Sequence, residues 1–237
     1  MTHSMNSEST STAKTVVFNL IILDESGSMS HVKNETIAGC NELINTIKTA
    51  KRNGGDKLRS LLSIYAFQSD GNVPSRYLVK NADPENVRHI TPDDYKPWGR
   101  TPLLDAVGST LSELMAVSET HEDATGAITI MTDGYENSSK QYDWQKVAQL
   151  ISRFKEMGWT VNLVGANIDV AAMASRMSID SENALQYQQT GEGSRKMWDQ
   201  MASSSRRAYE QEVAYQAMPA EERLQSRMKR SKMFFKK

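Results

Sequence analysis

The chain has 237 residues, enough for one large domain or for one domain with additional terminal segments. Its 28 basic and 29 acidic residues nearly balance, so bulk charge favours neither nucleic acid nor a membrane surface as the partner. The single cysteine, Cys40, excludes an internal disulfide and is typical of a reducing compartment, so we predict a cytoplasmic location. No apolar run approaches the roughly 20 residues that a membrane-spanning helix needs.

Composition divides the chain into four predicted segments. Residues 1–14 are rich in serine and threonine without an apolar run, so we expect a disordered tail and not a secretory signal. Residues 15–190 form the predicted folded domain, and residues 191–218 a C-terminal helix that packs on it or extends it. Residues 219–237 form a predicted basic tail, of which residues 223–237 are expected to be mobile and to bind anionic surfaces weakly. The segment from Arg223 to Lys237 has seven basic residues and no acidic one, and a helix docked on its own domain is the alternative.

Strand-like and helix-like segments alternate through the predicted domain. Residues 16–23 are aliphatic almost without a break, as in a strand that is buried on both faces of a parallel sheet. Further strands are predicted at 61–67, 76–80, 125–132, 159–165 and 184–188, and helices at 32–51, 102–117, 142–157, 170–176 and 194–217. Pro74 precedes the short third strand and favours an antiparallel edge. We therefore predict an α/β fold with a Rossmann-like, doubly wound, mostly parallel sheet, one antiparallel edge strand and helices on both faces.

The first predicted strand ends in a run of oxygen-bearing side chains, Asp24-Glu25-Ser26-Gly27-Ser28. Ligands of open α/β sheets bind just outside the carboxyl ends of the strands. At that edge Asp24, Ser26 and Ser28 offer one carboxylate and two hydroxyls, and Gly27 permits a sharp turn between the serines. Hard cations such as Mg²⁺ prefer oxygen ligands of this kind. Taken alone, the same residues also fit an ordinary polar turn.

This D-x-S-x-S pattern after an apolar strand resembles the metal-ion-dependent adhesion site (MIDAS) of von Willebrand factor A domains. Two later segments resemble the second and third metal loops of that family: Gly99-Arg100-Thr101-Pro102-Leu103-Leu104-Asp105-Ala106 and Ile128-Thr129-Ile130-Met131-Thr132-Asp133-Gly134. The resemblance covers about residues 15–190, shows no departure from the five-ligand pattern and is of the intracellular bacterial type. It implies Mg²⁺ or Mn²⁺ as the cofactor, with five ligands: Asp24, Ser26, Ser28, Thr101 and Asp133. The resemblance implies that the hydroxyls bind the metal directly, whereas each aspartate binds it either directly or through a water molecule.

The implied ligand set favours a binding site over a closed ion cage. Two carboxylates formally neutralise a divalent cation, and three neutral hydroxyls leave it electrophilic, with one position for an external oxygen. The resemblance therefore implies a protein partner that offers a Glu or Asp to the metal. Four neighbours of the ligands are predicted to form the rim that contacts this partner: Met29, Trp98, Tyr135 and Glu136. For the three apolar ones, packing under the loops is the alternative.

Three further expectations concern residues beside the predicted ligands. Thr101 precedes Pro102 and is expected to cap the second helix as well as bind metal. Glu25 alternates away from Asp24 along the strand, so we expect it to be exposed to solvent. Asp105 lies four residues after Thr101 on the same helical face, where it has the option of supporting that ligand.

Enzyme hypotheses lack the residues they need. Phosphotransferases of the haloacid dehalogenase type carry a second acid two residues after the nucleophilic aspartate, where this chain has Ser26. The sequence has no Gly-x-x-x-x-Gly-Lys-Ser/Thr loop and no Gly-x-Ser-x-Gly elbow. We predict that the chain is not an enzyme, and a metal-dependent phosphohydrolase stays open as the lesser alternative. The other alternative is a scaffold that acts through its C-terminal helix and basic tail, with a purely structural metal.

Overall fold

A computed structural model describes residues 14–70 and 73–236. Apart from Lys14, the predicted disordered tail 1–14 lies outside the described residues. One six-stranded sheet comprises β1 (Thr15–Asp24), β2 (Leu58–Phe67), β3 (Arg76–Ala82), β4 (Ala124–Thr132), β5 (Thr160–Gly165) and β6 (Ala184–Gln186). The strand order is β3-β2-β1-β4-β5-β6. Only β3 pairs antiparallel among these strands, so the predicted sheet with one antiparallel edge is confirmed.

In the described residues, six α-helices surround the sheet: α1 (Lys33–Gly54), α2 (Leu103–Ser118), α3 (Trp144–Glu156), α4 (Val170–Arg176), α5 (Gly191–Tyr215) and α6 (Ala220–Arg230). Successive side chains of a strand point to opposite faces. Phe18 and Ile22 of β1 accordingly pack with α2, α3 and α4, whereas Ile21 and Leu23 pack with α1 and α5. This two-sided burial is why β1 is apolar at nearly every position from Val16 to Leu23. None of the helices in the described part of the chain has the length and hydrophobicity to span a bilayer.

The close contact between α1 and α5 requires a glycine at position 39. A Cβ on Gly39 of α1 would lie 2.1 Å from ring atoms of Trp198 of α5, which is far below a normal contact distance. Trp198 and Met201 of α5 are buried in the same cluster as Cys40 and Ile44 of α1. The C-terminal helix predicted for residues 191–218 is therefore packed on the domain, directly behind the helix that follows the first metal loop.

The prediction of a mobile basic tail is wrong. Residues 220–230 form α6, and the buried guanidinium of Arg227 lies 2.5 Å from a carboxylate oxygen of Glu212 and 2.6 Å from one of Asp123. Phe234 and Phe235 are buried beyond the helix in the cluster between the sheet and α1 and α5. The tail looks uncompensated in the sequence because its acidic partners lie 15 and 104 residues away. The docked-helix alternative is the one that the structure supports.

Candidate metal centre

Strand order brings the three predicted metal loops together at the carboxyl edge of the sheet. β1 and β4 are adjacent, so Asp24 at the end of β1 lies beside the segment after β4 that contains Asp133. The loop before α2 is tied to the first metal loop by two backbone hydrogen bonds, Gly27 N–H to the Gly99 carbonyl (3.2 Å) and Trp98 N–H to the Glu25 carbonyl (2.9 Å). A Cβ on Gly134 would lie 3.0 Å from Thr101 Oγ1, which places the Thr101 hydroxyl against the third loop.

Asp24 is a buried carboxylate with neutral hydrogen-bond donors. Its side chain is fully buried, and Oδ1 accepts from the Ser26 backbone N–H at 2.7 Å. Oδ2 accepts from the Thr132 hydroxyl at 2.6 Å, a contact that the sequence analysis did not anticipate. Burial raises the pKa of Asp24 to about 7, even though both hydrogen bonds act in the opposite direction. A carboxylate in this setting is stabilised by a cation.

The serine hydroxyls connect Asp24 to Asp133. Ser26 Oγ lies 3.2 Å from Ser28 Oγ, and the Ser28 hydroxyl donates to Asp133 Oδ1 at 2.6 Å. Within the described residues no lysine, arginine or histidine forms an ion pair with either aspartate. In the same part of the chain no three His, Cys, Asp or Glu residues cluster as metal ligands, so the hydroxyls are essential to any metal site here. The donor set of two carboxylates and three hydroxyls fits a hard divalent cation.

Thr101 does not cap α2, contrary to expectation. The helix begins at Leu103, and the carboxylate of Glu136 accepts the Leu104 backbone N–H at 2.8 Å. The Thr101 backbone is held from the third loop, where Asn137 Oδ1 accepts its N–H at 2.9 Å. Because Glu136 accepts a backbone N–H at the start of α2, the Thr101 hydroxyl is not needed as a helix cap and remains available as a metal ligand. Glu136 has a positioning role here that its prediction as a rim residue did not include.

Two other rim residues are exposed, and one is not. The side chains of Trp98 and Tyr135 are 65% and 58% exposed, so both are accessible to a partner. Met29 is only 2% exposed and packs with α1, so its prediction as a rim residue is wrong. It points inward because the chain turns into the short 3₁₀ helix Gly27–Val32 directly after the metal loop. The packing alternative applies to Met29 alone among the three apolar residues.

Glu25 is buried, and its expected exposure is wrong. Its carboxylate accepts from Arg76 at 2.7 Å, from Gln68 Nε2 at 2.9 Å and from the Lys96 backbone N–H at 2.5 Å. Gln68 after β2, Arg76 at the start of β3 and the loop at Lys96 therefore converge on this side chain. Asp105 likewise does not support Thr101, because it accepts the backbone N–H groups of residues 140–142.

Gln189 also reaches the site, although the sequence analysis did not select it. Its amide Nε2 donates to Asp133 Oδ2, and its Oε1 accepts from Asn167 Nδ2. Gln189 lies between β6 and α5, 56 residues from Asp133, and belongs to no motif. Only the folded chain brings it to the metal loops.

No family model and no curated protein matches this sequence. Solved structures do. Proximal thread matrix protein 1 from mussel byssus, with a zinc-occupied MIDAS motif, has a TM-score of 0.57 and 13% identity over 79% of this chain and 47% of that chain. A von Willebrand factor type A protein from Catenulispora acidiphila has a TM-score of 0.50 and 14% identity over 82% and 43%. This chain has the von Willebrand factor A fold.

A third similar structure is manganese-loaded TRAP from Plasmodium vivax, with a TM-score of 0.52 and 14% identity over 81% of this chain and 72% of that chain. This chain spans less than half of the length of the mussel and Catenulispora chains. At this level of identity the likeness concerns the fold alone.

Proposed function

We propose that this chain is a metal-dependent protein-binding module. Mg²⁺ or Mn²⁺ would be held by Asp24, Ser26, Ser28, Thr101 and Asp133, and a Glu or Asp of the partner would complete the coordination. The observation that carries the proposal is the fully buried Asp24 carboxylate, which accepts from the Ser26 backbone N–H and the Thr132 hydroxyl and pairs with no cationic side chain among the described residues. Two structures with the same fold, described above, hold zinc and manganese, which supports a divalent cation.

Ordered loops would hold the bound cation, which is the electrophile of the site, in a fixed position. A bound cation would supply the positive charge that attracts the partner's carboxylate. The chain's own residues hold the loops in place: Glu25 ties the first loop to residues around Lys96, and Glu136 fastens the third loop to the start of α2. Loops that are already ordered lose less conformational entropy when a partner binds.

The surface beside the site combines an exposed tryptophan with basic side chains, which favours an acidic partner. The exposed Trp98 borders a groove of about 400 Å³. Two basic residues, Lys33 and Lys96, also line this groove, and Ser30 connects it to the first metal loop. Charge complementarity of this kind accelerates association with acidic surfaces, and tryptophan is among the residues that most often anchor an interface.

Partner capture with and without metal tests the proposal. Captured from native cell extract, the partner should bind in Mg²⁺ and be lost in EDTA, because truncating a desolvated charged contact costs about 2–5 kcal/mol. Ser26→Ala and Thr101→Ala should weaken the complex while the fold survives. Ser203→Ala, at an exposed position of α5, is the matched control and should bind normally. Equal binding in EDTA and to Asp24→Asn would exclude the metal face as the interface.

We also propose that the chain has no enzymatic activity, because the described site holds no base or nucleophile beyond the metal ligands themselves. A screen of phosphate esters and nucleotides with Mg²⁺ should show no turnover. Turnover that disappears in Asp24→Asn and Asp133→Asn would support the phosphohydrolase alternative. The scaffold alternative has lost the free basic tail on which it relied, since Arg223, Arg227 and Arg230 form ion pairs with acidic residues of the domain.

A further inference from the structure

The amide of Gln189 is held in one orientation between two partners. A carboxylate oxygen only accepts hydrogen bonds, so the group that faces Asp133 Oδ2 has to be the Nε2 amide of Gln189. Its Oε1 is then left to accept from Asn167 Nδ2. Asn167 has a φ of 56°, a left-handed conformation that asparagine adopts more readily than most residues. Neither Gln189 nor Asn167 belongs to a hydrophobic cluster, so the packing of the core does not account for these contacts.

The backbone around Gln189 is also tightly constrained. The Thr190 N–H donates to the Gln188 carbonyl at 2.7 Å, and the Thr190 hydroxyl accepts the Gly193 N–H at the start of α5. A Cβ on Gly193 would lie 2.2 Å from the Gln188 carbonyl oxygen, so only glycine fits there. This compact turn gives the Gln189 side chain a defined starting point, as an orienting residue requires.

The two oxygens of Asp133 consequently have different surroundings. Oδ1 accepts from the Ser28 hydroxyl and faces the other predicted ligands, whereas Oδ2 is occupied by the Gln189 amide. We infer that Gln189 is a metal-specificity residue: by competing for Oδ2, its amide disfavours coordination of Asp133 through both oxygens and so favours Mg²⁺ over Ca²⁺. This inference rests on the proposed function, because it requires that Asp133 takes part in binding a divalent cation.

The physical basis is the difference between the two cations. Mg²⁺ demands near-ideal octahedral geometry and binds carboxylates through single oxygens, whereas Ca²⁺ accepts six to eight ligands and often takes both oxygens of a carboxylate. An Asp133 carboxylate with one oxygen committed to Gln189 suits the first cation and lowers the ligand count available to the second. Releasing that oxygen removes the discrimination.

Calorimetric titration of the metal-free full chain with MgCl₂ and with CaCl₂ tests this inference. Gln189→Met removes the amide while keeping the length of the side chain. We expect the ratio of the Ca²⁺ to the Mg²⁺ dissociation constant to fall about tenfold, which equals the lower end of the effect that residues orienting metal ligands have on the affinity for a metal. Gln188→Met changes an exposed neighbour and should leave the ratio unchanged. A variant that merely loosens the fold would weaken both cations together and would not move the ratio.

Asn167→Gly provides a second route that does not touch Gln189. Glycine tolerates the left-handed backbone, while the amide that orients Gln189 is lost. A smaller fall of the same ratio is expected. If the wild-type chain binds Mg²⁺ but both variants keep its Ca²⁺ to Mg²⁺ ratio, the role of Gln189 is overturned and the proposed function stands. A wild-type chain that binds neither cation overturns both.

Discussion

The two ends of the sheet bury carboxylates in different ways. At the end where the strands begin, Glu212 and Asp123 are paired with Arg227, and Glu212 also with Arg230. At the carboxyl end, Asp24 has hydroxyl and backbone donors but no basic partner in the described chain. Burying a charge is costly unless it is paired. The charges of the first group are therefore compensated within the chain, whereas the charge of Asp24 is available to pair with a bound cation.

The same contrast appears between two neighbouring residues. Asp24 and Glu25 are both fully buried, yet only Glu25 meets an arginine, Arg76 at 2.7 Å. Burial alone therefore does not mark the binding residue. What distinguishes Asp24 from Glu25 is the absence of a cationic partner in the described chain. Experiments that remove either the arginines or the proposed cation should separate the two kinds of carboxylate.

The largest effect is expected from Arg227→Met. This change removes one of the two basic partners of the buried Glu212 carboxylate and one of the two basic partners of Asp123. Removing one partner of a buried ion pair typically costs about 3–5 kcal/mol, and we expect the lower end because Arg230 still contacts Glu212. Denaturant unfolding measures the loss. Lys229→Met, an exposed change in the same helix, is the control and should be nearly neutral. A loss below 1 kcal/mol for Arg227→Met would mean that α6 is not fastened by these pairs.

Metal addition should give the next largest effect. A ligand at a hundredfold its dissociation constant stabilises the native state by about 2.7 kcal/mol, so Mg²⁺ or Mn²⁺ should raise the unfolding temperature of the metal-free protein. Asp24→Asn should abolish this increment, because the carboxylate at the centre of the site is gone. Arg227→Met should retain it if the two ends are independent. If the wild-type protein unfolds at the same temperature in Mg²⁺ and in EDTA, the proposed distinction between the two ends of the sheet is wrong.

A smaller loss is expected for Glu25→Gln. The change removes the charge that pairs with Arg76 and weakens the contacts to Gln68 and Lys96. Hydrogen bonds to charged groups contribute about 1.5–3 kcal/mol, and we expect about 2 kcal/mol in denaturant unfolding. The metal-induced increment should persist, in contrast to Asp24→Asn next to it. Loss of the increment in both variants would show that Glu25 supports the metal loop directly and is not only a structural acid.

The fold could be predicted from the sequence because its signals are local. The apolar run of β1 and the alternation of strands and helices indicate a parallel sheet, and strand ends place Asp24 and Asp133 at one edge. Contacts between remote residues carry no such signal. Arg76 lies 51 residues from Glu25, and Gln189 lies 56 residues from Asp133, so neither pairing follows from spacing or periodicity.

A similar limit explains the error at the C-terminus. Seven basic residues without an acid look like a solvated tail when their own segment is considered alone. The compensating charges come from Asp123, before β4, and from Glu212, in α5. Charge balance within a segment is therefore a poor guide to whether that segment packs, because pairing is decided by the assembled fold.

The smallest effect on stability, and the sharpest test of which end binds, is expected from Trp98→Ala. The Trp98 side chain is 65% exposed, so the free energy of unfolding should change by no more than about 0.5 kcal/mol. Its place beside the metal loops and the lysine-lined groove predicts a loss of partner affinity of about 2 kcal/mol, as for other tryptophan anchors. Leu224→Ala is the matched control, since Leu224 is an exposed apolar residue of α6 at the opposite end. Binding of the captured partner to the two immobilised variants measures the change in partner affinity for each. If Leu224→Ala weakens binding more than Trp98→Ala does, the C-terminal helices form the interface and the unpaired carboxylate at the other end serves a structural cation.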